Sequence, residues 1–526
     1  MFSYFDLAEA AKRVAVSLAG AGGSLDEARV AYLVPPSFAA VVVPRGIWLA
    51  GGVAVPLAVS HPPPELEHVV RDSGASIVIG SGRSAEALEA IAAACGARFI
   101  RTPDLLAGEF EGQVCEPAPT GGQVCETAPG GGQVCETAEA GGQVYETSQR
   151  PDPGDAPFRR PGPGEPGEAT VRRPGPGEAA FRGPDPRGRA LILYTSGTTG
   201  KPKGVVTTHA NLVAQMASLL EAWEWTSEDR ALSVLPLHHV HGLINVVGCA
   251  LAAGASCEIL PQFETEPTWE RLSSGEITVF SAVPTMYHRL IASYDAAPAR
   301  VQRARSEGAR GVRLMMSGSA ALPRATLDRW REITGHTLLE RYGMTELGMA
   351  LSNPLHGERR PGFVGTPLPN VEVRLVDDEL EVRGPGVFLE YWRRPDETAQ
   401  AFSDGWFRTG DVAVVEDGAY RLLGRRNTDI IKSGGYKISA LEIEDVLRSH
   451  PAIVDCAVTG VQDDEWGERV VVTAELASST ELTLDELQEW ARSRLAPYKI
   501  PRALECVAAL PRNAMGKVVK QNRTVS

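Results

Sequence analysis

Short apolar runs rich in β-branched residues recur along most of this chain, each parted from the next by a helix-period stretch, and this alternation limits what the chain can fold into. Runs such as ARVAYLV, GGVAVPLAV and ASIVIG read as strands buried on both faces, the pattern a sheet acquires when helices cover it on either side. We therefore expect α/β layering with mostly parallel sheets through residue 106 and again from Ala190 to about Leu423. The remainder, Ile430 to Ser526, carries helical patterns (LEIEDVLRSH, LTLDELQEWARSRL), strand patterns (VDCAVTGV, RVVVTAEL) and a basic tail. That is enough chain for a second, small α+β domain.

One tract breaks the alternation. From 111 to 150 a decapeptide occurs four times (EGQVCEPAPT, GGQVCETAPG, GGQVCETAEA, GGQVYETSQR), followed by a Pro/Gly/Arg stretch containing FRRPGPGE and VRRPGPGE. With one Val in each decapeptide the repeats cannot bury enough apolar surface to offset chain entropy. The expectation is a disordered insertion over 108–188 within the first domain.

The net charge of −14 argues against a nucleic-acid partner, which needs a basic surface to release counterions. The opening MFSYFDLAEAAKRVAVSLAG mixes acids into a helical pattern, unlike a secretory signal, and no apolar run reaches the roughly 18–20 residues of a membrane helix. A cytoplasmic protein without a membrane partner is expected. Of eight cysteines, Cys115, Cys125 and Cys135 occupy one position of the repeat and the others are scattered, so no disulfide partners are evident.

The strongest chemical signal is LILYTSGTTGKPKG at 191–204, a buried strand entering a loop built for phosphate. Gly197 and Gly200 allow backbone N–H groups to approach an anion, Thr195, Ser196, Thr198 and Thr199 add hydroxyl donors, and Lys201 and Lys203 add charge. It is not a Walker A loop, because Pro202 stands where that motif needs a Mg-binding hydroxyl.

This loop resembles the fingerprint of the adenylate-forming superfamily of acyl-CoA synthetases, peptide-synthetase adenylation domains and luciferases. Further matches follow in the family's order: LPLHHVHGL at 235, SGSAAL at 317, ERYGMTE at 340, WFRTGD at 406, LLGRRNTDIIKSGGYKI at 422 and PRNAMGK at 511. The resemblance implies an ATP- and Mg2+-dependent enzyme with coenzyme A as co-substrate. It implies an N-terminal acyl- and ATP-binding domain over 1–424 and a mobile C-terminal domain over 425–526, hinged near 426–429.

By the same resemblance, Ser319, Ala320, Tyr342, Gly343 and Thr345 join the loop at the nucleotide, and Glu346 holds the metal, a hard-oxygen ligand suited to Mg2+. Asp411 and Arg425 hold the ribose. Lys517 supplies positive charge to the adenylation transition state, with Thr195, Glu346 and His239 as its catalytic companions, His239 beside the reacting carboxylate. The loop Lys432, Ser433, Gly434, Gly435, Tyr436 faces coenzyme A in the second half-reaction.

Within the superfamily the wording is most similar to malonyl-CoA synthetases, through LPLHHVHG, VPTMYHRL, SGSAALP and ERYGMTE. The likeness implies that Arg289 and Arg341 bind a distal carboxylate, for which a bidentate guanidinium is well shaped. Malonate and methylmalonate are both compatible with this pattern. A stand-alone adenylation enzyme, a synthetase for another short acid and a non-catalytic nucleotide-binding scaffold are the alternatives; intact Glu346, Asp411, Arg425 and Lys517 argue against the last.

Overall fold

The computed structural model describes residues 2–20, 23–106, 183–195, 202–477, 480–512, 518 and 520. Two seven-stranded sheets carry the larger part of the chain. In spatial order the first sheet runs Glu390–Tyr391, Lys203–Thr208, Arg189–Thr195, Val53–Pro56, Arg29–Leu33, Ile77–Gly80 and Arg98–Arg101. Its strands from Arg189–Thr195 to Arg98–Arg101 are parallel, with Lys203–Thr208 added antiparallel. The apolar runs read from the sequence are these buried strands, and helices such as Phe38–Leu49, capped by Ser37, cover them.

The second sheet runs Thr366–Pro367, Gly348–Ser352, Leu339–Met344, Leu314–Ser317, Val279–Ala282, Arg230–Ser233 and Ser256–Ile259. It is parallel from Leu339–Met344 to Ser256–Ile259. Under it lies a dense aromatic cluster: Trp269 stacks on Trp330 at 5.4 Å, and Tyr287 meets Trp330 edge-on at 4.8 Å. Such rings each bury about 150–250 Å2, worth very roughly 4–6 kcal/mol as an upper limit. This rigid layer also fixes the helix Pro284–Asp295, whose Tyr287 hydroxyl donates to the Met316 carbonyl at 2.8 Å. The core thus holds the carboxyl ends of three parallel strands, where open α/β sheets bind ligands.

A third sheet is built on Glu372–Val376, Glu379–Arg383 and Trp406–Glu416, with Ala419–Arg425 paired to the last. Its first hairpin turns on Asp377 and Asp378 at φ 50° and 66°, the two positive values that a tight two-residue turn demands. The C-terminal sheet, Tyr436–Ser439, Ile430–Ser433, Gly467–Leu476 and Ile453–Asp463 with Ala503–Val507 alongside, has a hydrophobic core of its own, including Ile438, Ile443, Leu447, Val472 and Leu487. The helical patterns there form Ala440–Leu447 and Leu484–Arg492, the second opened by a Thr483–Glu486 capping box.

Most of the proposed 108–188 insertion lies outside the described residues. Its last positions differ from the expectation of disorder. Pro186 accepts from the Ala210 amide at 2.7 Å and Gly188 from that of His209 at 3.2 Å, so backbone pairing with the start of His209–Ala222 ties this stretch to the fold.

Candidate active site

The phosphate-type loop joins two paired strands rather than a strand and a helix, for Thr195 lies opposite Lys203 in the antiparallel register. Ser196, Gly197, Thr198, Thr199, Gly200 and Lys201 lie outside the described residues. The loop's feet are held from both sides. Tyr194 donates to Asp72 at 2.7 Å, and His68 Nε2 lies 3.0 Å from the Pro202 carbonyl.

Lys203 Nζ sits 3.5 Å from the centroid of the Tyr391 ring, and the Tyr391 hydroxyl donates to the buried Glu346 carboxylate at 2.9 Å. Burial first, and Glu346 second, raise the Tyr391 phenol far above its ordinary range, so it remains a donor. Tyr391 thereby connects the loop to the ERYGMTE segment. No sequence pattern singled it out, because its role depends on an edge strand pairing with Lys203–Thr208.

The strand Leu339–Met344 presents its residues alternately to two sides. On one side Tyr342 donates to Asp411 at 2.5 Å, and Asp411 pairs with Arg425 at 2.8 Å. Asp411 and Arg425 are directly opposed across the Trp406–Glu416 and Ala419–Arg425 ladder, so the pairing follows from register. Burial lowers the affinity of Arg425 for its proton, but Asp411, Tyr342, Glu346 and Asp429 outweigh it and the guanidinium is held charged. A carboxylate, a phenol and a guanidinium converging this way can bind a vicinal diol.

On the other side lies Arg341, 4% exposed. The parallel register pairs Met316 with Leu339 and Ser317 with Glu340, which brings Gly318 beside Arg341. A Cβ on Gly318 would stand 2.1 Å from Arg341 Nη1, so only glycine allows the guanidinium to lie there. Arg341 Nη2 contacts His241 Nε2, while Nε is buried with no partner among the described residues. Among the described residues no carboxylate pairs with this guanidinium. Burial brings its pKa down to about 10, with Tyr287 opposing, which leaves it a cation at neutral pH.

His241 opens a π-helical stretch, His241–Gly248, of the kind that collects at functional sites. Its ring is nearly enclosed: Nε2 also lies 2.8 Å from Ser281 Oγ, and Nδ1 3.2 Å from the hydroxyl of Ser319. Ser319 takes a left-handed φ of 69°, uncommon for a residue with a side chain. Ala320 beside it is exposed. Burial, then Arg341 and His239, push the His241 pKa well below the usual histidine value.

His239 and His238 take a different course from His241. Their rings lie 4.2 Å apart, and His238 lies 6.5 Å from His61. Burial and neighbouring imidazoles lower His239 to about 4 and His238 to about 3, so both are neutral. No group of three or more metal-ligating side chains occurs among the described residues. Magnesium bound to phosphates asks the protein for only one or two carboxylates, and a single buried Glu346 fits that demand.

Arg289 stands apart. It is exposed on Pro284–Asp295, with its guanidinium 4.8 Å above the Phe263 ring, and no described contact joins it to Arg341 or His241. Gly343, near the end of the strand Leu339–Met344, and Thr345, in the turn that returns to Gly348–Ser352, are half-buried.

In the C-terminal segment, Lys432, Gly434, Gly435 and Tyr436 are exposed and Ser433 is buried. Gly434 and Gly435, at φ 56° and 84°, form the two-residue turn of the Ile430–Ser433 and Tyr436–Ser439 hairpin. Tyr436 stacks on Tyr498 at 4.3 Å. Lys517 lies outside the described residues. Three positions on, Lys520 forms ion pairs with Asp429 at 2.6 Å and Glu444 at 2.8 Å, and Asp429 accepts from the Arg425 amide at 2.9 Å, which anchors the expected hinge region to both strand and tail.

The family model described as AMP-binding enzyme matches residues 1–392, and the AMP-binding enzyme C-terminal domain matches 442–517. The chain is 41% identical over 540 residues to the mitochondrial malonate–CoA ligase of Bos taurus, covering 95% of this chain and 82% of that protein. It is 42% identical over 529 residues to the malonate–CoA ligase of Arabidopsis thaliana, covering 95% and 78%. ATP-bound MatB from Rhodopseudomonas palustris superposes with a TM-score of 0.78 at 30% identity, over 98% of this chain and 91% of that one. A malonyl-CoA ligase with methylmalonyl-CoA and AMP bound superposes with a TM-score of 0.60 at 34% identity, over 96% and 94%.

Proposed function

The chain belongs to the AMP-binding enzyme family, and from that premise we propose that it joins malonate to coenzyme A at the expense of ATP, with methylmalonate as its second substrate. The reaction type is that of an AMP-forming acid–thiol ligase. The observation that carries the choice of acid is Arg341, a buried guanidinium without an acidic partner among the described residues. An isolated buried charge is expensive. A substrate that brings a second carboxylate offsets that cost, and a monocarboxylic acid does not.

In the first half-reaction one malonate carboxylate attacks the α-phosphorus of ATP, forming malonyl-adenylate and releasing pyrophosphate. Arg341 receives the distal carboxylate and the neutral His239 lies by the reacting one, which orients the nucleophile for an in-line approach. Arg289 is the second proposed arginine of the acid site. Thr195, Lys203 and the loop between them hold the phosphates, with Ser319, Ala320, Gly343 and Thr345 lining the nucleotide site. Asp411 and Arg425 hold the ribose and Tyr342 lies against the base. Magnesium, when bound at Glu346, offsets phosphate charge. Lys517 supplies the remaining positive charge as the adenylate forms.

In the second half-reaction the thiol of coenzyme A attacks the acyl carbon and AMP leaves. We assign to residues 426–429 the hinge motion that withdraws Lys517 and turns the Lys432–Tyr436 hairpin toward the acid site. A panel of malonate, methylmalonate, acetate, propionate and butyrate, scored by AMP formation that depends on coenzyme A, tests the reading. The two diacids should lead by a wide margin. A monocarboxylate that leads instead rejects malonate while leaving the ligase chemistry in place.

A further inference from the structure

We infer that His241 is a positioning residue for the acid site: a neutral imidazole that holds the Arg341 guanidinium in place without neutralising it, so that the charge remains available to a second carboxylate. The inference rests on the malonate reading of the same pocket.

The contacts determine the ring's protonation. A guanidinium only donates hydrogen bonds, so the nitrogen facing Arg341, Nε2, must present its lone pair. The single imidazole proton then sits on Nδ1 and is donated to Ser319 Oγ at 3.2 Å. Ser281 Oγ, at 2.8 Å, completes the set on the Nε2 side. A doubly protonated ring would place two cations in contact at a site where both are 4% exposed, and burial together with Arg341 keeps that form away. The geometry alone requires neutrality.

A neutral acceptor is the residue type this pocket needs. A carboxylate at 241 would pair with Arg341 and leave no net charge to recruit a diacid. An aliphatic side chain would leave Nη2 without an acceptor, so that nothing at 241 would fix the orientation of the guanidinium in the space that the missing Cβ of Gly318 gives it. His241 itself is fixed by elements far apart in the chain: Ser281 lies within the strand Val279–Ala282, and Ser319 follows the strand Leu314–Ser317 in a left-handed conformation that turns its hydroxyl to the ring. The sequence motif SGSAAL thus reaches the acid site through Gly318 and Ser319 as well as the nucleotide site.

The test is steady-state kinetics of His241→Leu, His241→Gln and Ser281→Ala with malonate and propionate, read as the malonate-to-propionate ratio of kcat/KM. His241→Leu should lower that ratio at least about tenfold, mainly through the KM for malonate, while the KM for ATP stays near its wild-type value. His241→Gln keeps an acceptor oxygen and should bring the ratio back to within about threefold of wild type. Ser281→Ala, a change of one hydroxyl, should lower the ratio by about threefold and decides the matter if the leucine variant does not fold. An unchanged ratio in His241→Leu or, failing that, in Ser281→Ala overturns the positioning role, as does a glutamine variant no better than the leucine one. Wild-type enzyme that favours propionate rejects the malonate reading instead, so the two failures are told apart by the wild-type ratio.

Discussion

Arg341 and Asp411 are both buried charges reached from one strand, yet they are satisfied in opposite ways. Asp411 has Arg425 and Tyr342 within hydrogen-bond distance, so its cluster is complete before any ligand arrives. Arg341 has a neutral imidazole, an unpartnered Nε and no carboxylate among the described residues. The first arrangement presents preformed hydrogen-bonding groups to a neutral diol, which asks for no change of charge. The second leaves an electrostatic demand that only an anion meets. Strand alternation separates the two sites, because Arg341 and Tyr342, neighbours in sequence, point to opposite sides.

Replacing each charge in turn should break that comparison most sharply. Arg341→Leu removes two charge-assisted hydrogen bonds to the distal carboxylate, at roughly 1.5 kcal/mol or more each, so malonate kcat/KM should fall at least about a hundredfold. The KM for ATP should move little, since Tyr342 faces away. The same variant should melt no lower than wild type, because exchanging an unpaired buried charge for an apolar side chain is neutral or stabilising. Asp411→Asn should do the reverse: raise the KM for ATP about tenfold, leave the malonate preference intact and destabilise by about 1–2 kcal/mol, a modest figure because Arg425 is 38% exposed and partly screened. Parallel losses of malonate and ATP affinity in both variants would show that the strand does not insulate the two sites.

How far these regions were legible in the sequence also differs. Asp411, Arg425 and Arg341 were all legible only through the resemblance, but the first two have a simple geometry, because WFRTGD and the LLGRRNTD segment lie on strands paired to each other and the motifs meet by register. Arg341 has no such simple geometry. Its neighbours His241, Ser281 and Gly318 come from three separate segments brought together by parallel register and a π-helical turn, and the HHVH spelling gives no hint that the third histidine departs from the first two. Tyr391 was missed for the same reason. Arg289 shows the converse: a motif arginine that the described contacts place on an exposed helix face over Phe263. The α/β layering itself was plain, since buried parallel strands announce themselves as apolar runs.

A subtler way to sharpen the comparison leaves every charge in place. Gly318→Ala adds one methyl group where a Cβ meets Arg341 Nη1 at 2.1 Å. The clash is with the far end of a flexible side chain, so the fold should lose less than about 1 kcal/mol. The guanidinium must nevertheless move, and malonate kcat/KM should fall by about tenfold, because positioning errors near an ångström are costly. Activity equal to wild type would mean that the site tolerates a displaced Arg341 and that its charge matters more than its place.

The smallest effect on activity is expected one residue earlier. Glu340 is the mirror of Arg341: a buried acid whose carboxylate accepts from the Gly362 amide at 2.8 Å, with no ion pair among the described residues. Burial, with Asp445 adding to it and Gly362 and Arg324 opposing, raises its pKa to about 8. It can therefore discharge by holding a proton at neutral pH, whereas Arg341, at about 10, cannot. An arginine is the side chain that stays charged when unpaired, which is why the demand for an anion falls on residue 341 and not on 340. The sign of the pH effect follows. Below the ordinary value of 4.5 both folded and unfolded chains hold the proton and the contribution to stability is complete; from there to about 8 only the folded chain holds it, so stability falls by at most about 1.4 kcal/mol per pH unit. Glu340→Gln retains the acceptor and removes the titration. The difference in unfolding midpoint between wild type and variant should shift steadily in the variant's favour from pH 5 to pH 8, while malonate kcat/KM at pH 7 stays within about twofold, since the protonated acid and the amide are both neutral. A difference that is constant across that window would mean that Glu340 is ionised in the fold and that its burial is compensated.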